Sequence, residues 1–300
     1  MLGGIEAGGT KWVCALGPSP DRIAEEARFP TTTPKETIAR ALSFFREMEA
    51  RHGRLAALGI GSFGPVDVRE DSPTWGYITT TPKPGWRDTR VAGVFQEELG
   101  VPVGFDTDVN AAALGELSYG AARGLSSVVY ITVGTGIGAG VVVDGRPVHG
   151  LVHPEAGHIL VRRHPDDTYG GRCPFHRDCL EGMASGPALA ERWSMRGEDL
   201  PQDHQAWRME AFYLAQGVMN LVLAVSPERV ILGGGVMQQG HLFPLVRSEL
   251  LRLLAGYVGH PAITEQVDDY VVPPGLGQRA GIVGALVLAA RAGDRGAHTR

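Results

Sequence analysis

The chain has 300 residues, 43% hydrophobic and 20% charged, with a net charge of −5. That length supports two ordinary domains with buried cores, and the composition excludes an intrinsically disordered chain. No basic stripe marks a nucleic-acid binder, and no apolar run approaches the roughly 20 residues of a membrane span. Glycine is the outlier: its 42 residues are about twice the usual share, and they gather in short loops, where backbone can approach a ligand. Three cysteines make no disulfide framework. The opening residues Met1 to Glu6 lack the charged and apolar regions of a secretory signal. The reading is a cytoplasmic protein with no nucleic-acid or membrane partner.

In chain order, an apolar strand over residues 2–5 leads into Glu6-Ala7-Gly8-Gly9-Thr10-Lys11 and a second strand over 12–16, a glycine-turned hairpin. Ile38, Leu42, Phe45 and Met48 share one face of a helix predicted over 34–52. A buried strand follows over 55–61, ended by Gly64-Pro65. A loop rich in Thr, Pro, Gly and Trp is predicted over 71–89, a helix over 91–99, a strand over 101–105 and a helix over 110–119. Then the opening theme returns. A strand over 127–133 meets the glycine loop Gly134-Thr135-Gly136-Ile137-Gly138-Ala139-Gly140, and a strand over 141–143 closes on the turn Asp144-Gly145. A helix over 204–226, a strand over 229–232, Gly233-Gly234-Gly235, Gly275-Leu276-Gly277 and a last apolar helix to about residue 290 complete the chain. Strands alternating with helices, and a strand–glycine loop–strand theme used twice, predict an α/β fold of two related domains that part near residue 108.

The glycine loops do not match the dinucleotide fingerprint. Position 139 is alanine, and a strand rather than a helix follows. No P-loop pattern occurs either. One remaining reading is a plain tight turn. The other is a hairpin whose backbone N–H groups face phosphate oxygens, with Thr10, Lys11 and Thr135 adding hydroxyls and positive charge. Two such loops, one carrying Thr-Lys, favour phosphate.

His158, Cys173, His176 and Cys179 offer two nitrogens and two sulfurs, a set that zinc accepts tetrahedrally. Four protein ligands leave no open position, so the zinc is structural. His153 competes as a fourth ligand. His149, His153, His164 and His204 otherwise read as surface histidines, and Cys14 as a buried apolar residue. In Asp106-Thr107-Asp108-Val109-Asn110, an acid at a strand end is either a general base or a helix cap. Asp108 and Asp106 are the rival bases.

Gly8-Gly9-Thr10-Lys11 and Gly134-Thr135-Gly136-Ile137-Gly138 resemble the two phosphate loops of the ROK family of sugar kinases. Glu155-Ala156-Gly157-His158 is similar to that family's ExGH motif, and Thr107-Asp108-Val109-Asn110 to its N-D-x-N pattern, with Thr107 in place of the first Asn. The resemblance implies two related domains of the actin-like ATPase (ribonuclease H-like) type with a cleft between them. It implies a smaller domain from 1–108 plus 279–293 and a larger one from 109–278 that carries the zinc loop. It implies ATP with Mg²⁺, held at the phosphates by Gly9, Thr10, Lys11, Thr135 and Gly136 and at the adenosine by Gly186, Pro187, Gly234, Gly235 and Val236. Glu6 stands where many members carry Asp and is a longer carboxylate toward Mg²⁺. Asp108 is implied as general base, with Asn110, Glu155, His158 and Glu181 on the sugar. Trp86 either walls the sugar site or packs in the core.

The opening motif, Thr79-Thr80-Thr81-Pro82-Lys83-Pro84-Gly85-Trp86 and the Cys-Pro-Phe-His element resemble the bacterial fructokinase branch, which implies a homodimer transferring phosphate to O6 of fructose and also of mannose. The alternatives are a hexokinase for glucose, mannose or an N-acylmannosamine, and a sugar-responsive transcriptional regulator. Against the regulator, the first strand begins at residue 2 and the charge is acidic.

Overall fold

A computed structural model describes residues 1–298. The chain forms two compact units. The first comprises Met1–Gly124, Arg146–Pro154 and the chain from Gln278 onward; the second comprises Leu125–Gly145 and Glu155–Gly277.

In the first unit, β1 (Leu2–Ala7) and β2 (Lys11–Gly17) pair antiparallel, with Ala7 opposite Trp12. β3 (Glu25–Pro30) adds an antiparallel edge. β4 (Ala57–Ser62) pairs parallel with β1. Two short strands, β5 (Tyr77–Ile78) and β6 (Thr89–Arg90), pair with each other in the long loop. β7 (Val103–Thr107) closes the order β3-β2-β1-β4-β7.

Side chains alternate across β2, so the sheet has two buried faces. Trp12, Cys14 and Leu16 join a core with α1 (Pro34–His52) and α2 (Ala92–Leu99). Val13 and Ala15 meet Ile282, Ala285 and Leu286 of the last helix on the other face. α1 starts where Thr33 caps it, accepting from the Glu36 N–H, with Pro34 in the first turn.

The second unit opens with a second antiparallel hairpin, β8 (Val128–Val133) and β9 (Ile137–Val143). A two-residue strand, β10 (Arg146–Pro147), follows in the chain and opens a segment that belongs to the first unit. β11 (Arg229–Gly233) pairs parallel with β8, and β12 (Val271–Val272) parallel with β11. The order β9-β8-β11-β12 repeats that of β2-β1-β4-β7, including which pairs are antiparallel. The duplicated theme is therefore a duplicated topology. β9 begins at Ile137, earlier than the sequence predicts, because Gly138 and Gly140 stand opposite Thr132 and Tyr130 in the ladder.

The domain boundary also differs from the sequence reading. α3 (Asp108–Tyr119) packs against the terminal helix, with the small residues Ala111, Gly115 and Gly284 in the contact. That packing keeps α3 in the first unit and carries the unit on to Gly124. The helices α4 (Leu180–Ala184), α5 (Gly186–Trp193), α6 (Ala206–Val225), α7 (Leu242–Leu254), α8 (Pro261–Thr264) and α9 (Val267–Tyr270) belong to the second unit, and α10 (Ala280–His298) to the first. No helix among the described residues is long and apolar enough to cross a membrane.

Candidate active site

The first hairpin ends in an exposed tip, Thr10 and Lys11. Its turn is closed by the Gly8 N–H on the Lys11 carbonyl at 3.0 Å. Thr31 steadies it twice: its N–H donates to the Thr10 carbonyl at 2.9 Å and its hydroxyl to the Gly8 carbonyl at 2.6 Å. Glu6 lies behind this tip on β1. Burial raises its carboxyl above the ordinary carboxylate range, against the pull of Lys11 and Arg28.

In the second unit the turn is Gly134-Thr135-Gly136, with Thr135 exposed. The Gly186 N–H, at the start of α5, donates to the Gly134 carbonyl at 2.8 Å. Ser185 caps α5 and Pro187 sits in its first turn. Val236 approaches Gly186, and Gly234 approaches the backbone of Val133. Thr135, Gly136, Gly186, Pro187, Gly234, Gly235 and Val236 thus gather at the carboxyl ends of β8 and β11, where open α/β sheets bind ligands.

At the carboxyl end of β7, the cap question has a definite answer. Thr107 caps α3, its hydroxyl accepting from the Asn110 N–H at 3.0 Å. Asp106 is 2% exposed and fully engaged. Its Oδ1 accepts from the Thr107 N–H at 2.8 Å and from the Asn110 amide at 2.7 Å, and its Oδ2 meets His149 Nε2 at 2.9 Å. The Asp106 hydrogen bond holds His149 above the ordinary histidine range, against burial. Asp108, the first residue of α3, is only partly buried, and its Oδ1 accepts from the Val109 N–H at 2.9 Å. Asp106 therefore fixes Asn110, and Asp108 is the acid with an accessible face.

Of the histidines read as surface residues, His149 is exposed but paired, and His153 is buried. His149 pairs with Asp106, and His153 is 6% exposed with its Nε2 accepting from the Val66 N–H at 3.1 Å. Their partners are far off in sequence, so no local signal exposes them.

His158, Cys173, His176 and Cys179 converge, their ligand atoms all within 4.8 Å of one another. His153 is not among them. The Sγ of Cys173 lies 3.7 Å from Nδ1 of both His158 and His176, and the Sγ of Cys179 lies 3.5 Å from His158 Nδ1. Zinc bonds of about 2.0–2.3 Å at tetrahedral angles place sulfur and nitrogen about 3.5 Å apart, so donor set and spacing both fit. His158 turns Nδ1 toward the two sulfurs, which leaves Nε2 for another partner. His158 ends a single 3-10 turn, Ala156–His158, preceded by the exposed Glu155.

Trp86 and Glu181, both expected at the sugar, each have a partner within the protein. Trp86 is fully buried between Trp12 and Phe63, with Nε1 donating to the Thr32 carbonyl at 2.8 Å. Of its two readings, the geometry carries core packing. Glu181 Oε2 accepts from the Ile137 N–H at 2.9 Å, at the foot of the second glycine turn.

A model of the ROK family matches residues 2–292. A Bacillus subtilis (strain 168) relative is 50% identical over 292 residues, covering 97% of this chain and 96% of that protein. A fructokinase from Zymomonas mobilis subsp. mobilis is 44% identical, covering 98% of each. A solved ROK family glucokinase from Streptomyces griseus, in complex with glucose and AMPPNP, aligns with a TM-score of 0.76 at 25% identity, over 97% of this chain and 99% of that one. With the match running from the first strand into the last helix, and the doubled hairpin topology inside it, the chain belongs to the ROK family.

Proposed function

We propose that the chain is an ATP-dependent fructokinase, transferring the γ-phosphate of ATP to the 6-hydroxyl of D-fructose. The observation that carries the reading is full-length similarity to a fructokinase at 44% identity. The solved glucokinase supports ATP as donor, since it holds an ATP analogue.

In this reading Asp108 accepts the proton of the 6-hydroxyl as that oxygen bonds to the γ-phosphorus. The bond from phosphorus to the bridging oxygen breaks, and ADP leaves with the electron pair. Such transfers depend chiefly on positioning and charge stabilisation. Lys11 supplies positive charge, the two glycine turns supply backbone N–H groups, and Thr10 and Thr135 supply hydroxyls. Mg²⁺ supplies further charge on the phosphates, with Glu6 as the carboxylate toward it. Asn110, Glu155 and His158 Nε2 bind sugar hydroxyls. Zinc, held by His158, Cys173, His176 and Cys179, shapes the loop that carries His158 and takes no part in the chemistry. A cytoplasmic homodimer completes the proposal, supported by family resemblance alone.

The test is ADP release coupled to an indicator reaction, across fructose, mannose, glucose and N-acetylated hexoses. Fructose is expected to show the highest kcat/KM, with mannose second. Preference for glucose or an N-acylmannosamine would replace the substrate; no sugar-dependent ADP release would end the kinase reading.

A further inference from the structure

The second glycine turn is gripped from three directions, and each grip leads back to the Cys/His loop. Glu181 Oε2 accepts from the Ile137 N–H at 2.9 Å, where β9 leaves the turn. A Cβ at position 136 would stand 2.6 Å from that oxygen, so the approach requires glycine there. At the other end, the Glu181 carbonyl accepts from the Ser185 N–H at 3.1 Å, and the next residue, Gly186, donates to the Gly134 carbonyl at 2.8 Å. On the third side, the turn Ala156–His158 lies against β9 so closely that a Cβ on Gly157 would collide with the Ile137 carbonyl. Glu181 follows the metal ligand Cys179 by two residues, and Gly157 precedes the ligand His158.

We infer that Glu181 is a positioning residue that ties the Cys/His metal loop to the second phosphate turn, so that loading the metal site sets the affinity for nucleotide. The inference rests on reading that turn as part of the nucleotide site. The chemistry is local. A carboxylate on a backbone N–H makes a charge-assisted bond, stronger than a neutral one, and it fixes the entry to the turn. The Thr135 and Gly136 amides then face the phosphates from a preset backbone. With the metal absent, Cys179 and His158 lose their common anchor, and the segment carrying Glu181 loses its fixed place.

Calorimetric titration with Mg·AMPPNP, without sugar, tests this on the full chain. Glu181→Ala is expected to weaken nucleotide binding about tenfold, the effect of one charge-assisted hydrogen bond. Glu181→Gln keeps an acceptor oxygen but loses the charge, and is expected to fall between wild type and Glu181→Ala. Glu181→Asp keeps the charge but loses the reach, and is expected to resemble the Ala variant. Stripping the metal with a chelator should weaken wild type by a similar factor and add little in Glu181→Ala, since the two changes remove one coupling. Should Glu181→Ala fail to fold, the Asp and Gln variants carry the comparison. The inference falls if the Ala or Asp variant binds nucleotide like wild type, or if stripping weakens wild type and Glu181→Ala alike. A rise in the KM for fructose with unchanged nucleotide affinity would make Glu181 a sugar contact only. Wild type that binds no nucleotide overturns the underlying reading, and the coupling with it.

Discussion

Asp106 and Asp108 are two positions apart and face different surroundings. Asp106 is buried and its oxygens are taken by Thr107, Asn110 and His149. Asp108 keeps part of its surface exposed at the first turn of α3. A general base must reach its substrate, so the proposed mechanism gives proton transfer to Asp108 and positioning to Asp106. Steady-state kinetics on two isosteric variants separate them. Asp108→Asn is expected to lower kcat by about 10²–10⁴ with sugar KM nearly unchanged. Asp106→Asn leaves an amide where a carboxylate accepted three bonds, so Asn110 loses its hold; sugar KM is expected to rise on the order of tenfold with a smaller loss in kcat. The larger kcat loss in Asp106→Asn would reverse the assignment. The pair itself is legible in the sequence. Its division of labour is not, because His149, the partner that occupies Asp106, lies 43 residues away.

At the scale of elements, the segment Arg146–Pro154 belongs to the first unit although its neighbours in the chain, on both sides, belong to the second. Two histidines fasten it: His149 to Asp106 and His153 to the Val66 N–H. His149 is raised above its ordinary value by Asp106, so its contribution is complete below the unfolded-state value of about 6.5. That contribution is lost as pH rises through the higher folded-state value. His149→Ala should therefore lower Tm by a few degrees near pH 6, with the gap to wild type closing toward about pH 9. A gap that does not change with pH would show that packing, not the ion pair, holds the segment. Elements with strong apolar periodicity were readable, as α1 shows with its buried Ile38, Leu42, Phe45 and Met48. β3 was not, because Glu25-Glu26-Ala27-Arg28-Phe29-Pro30 is a largely polar edge that no apolar alternation marks. Trp86 sat in a loop by composition, yet tertiary packing buries it in the core.

For the molecule as a whole, each unit has its own hydrophobic interior and the same strand topology, so each is expected to respond to insult by itself. The first unit is filled by side chains such as Phe45, Leu58, Ile60 and Phe95, and the second by Trp207, Leu214, Ile231 and Val246. The repeat was readable as two glycine hairpins. The boundary was not, because α3 joins the first unit through small residues packed on α10, a contact between segments far apart in the chain. All four Cys/His ligands lie in the second unit, where Cys173 is 3% exposed and Cys179 fully buried, and Leu180 packs on Gly217 of α6. Metal binding there stabilises only that unit directly. At free metal about a thousandfold above Kd, the stabilisation is about 4 kcal/mol, and each kcal/mol moves Tm by about 2–4 °C in a domain of this size. Stripping the metal should therefore pull one calorimetric transition down by on the order of 10 °C and leave the other in place. Added zinc should restore the first, while Mg²⁺, which prefers oxygen ligands, should not. A trace unmoved by the chelator would mean that these four side chains converge without holding a metal. A trace that moves as one transition would mean that the two interiors unfold together.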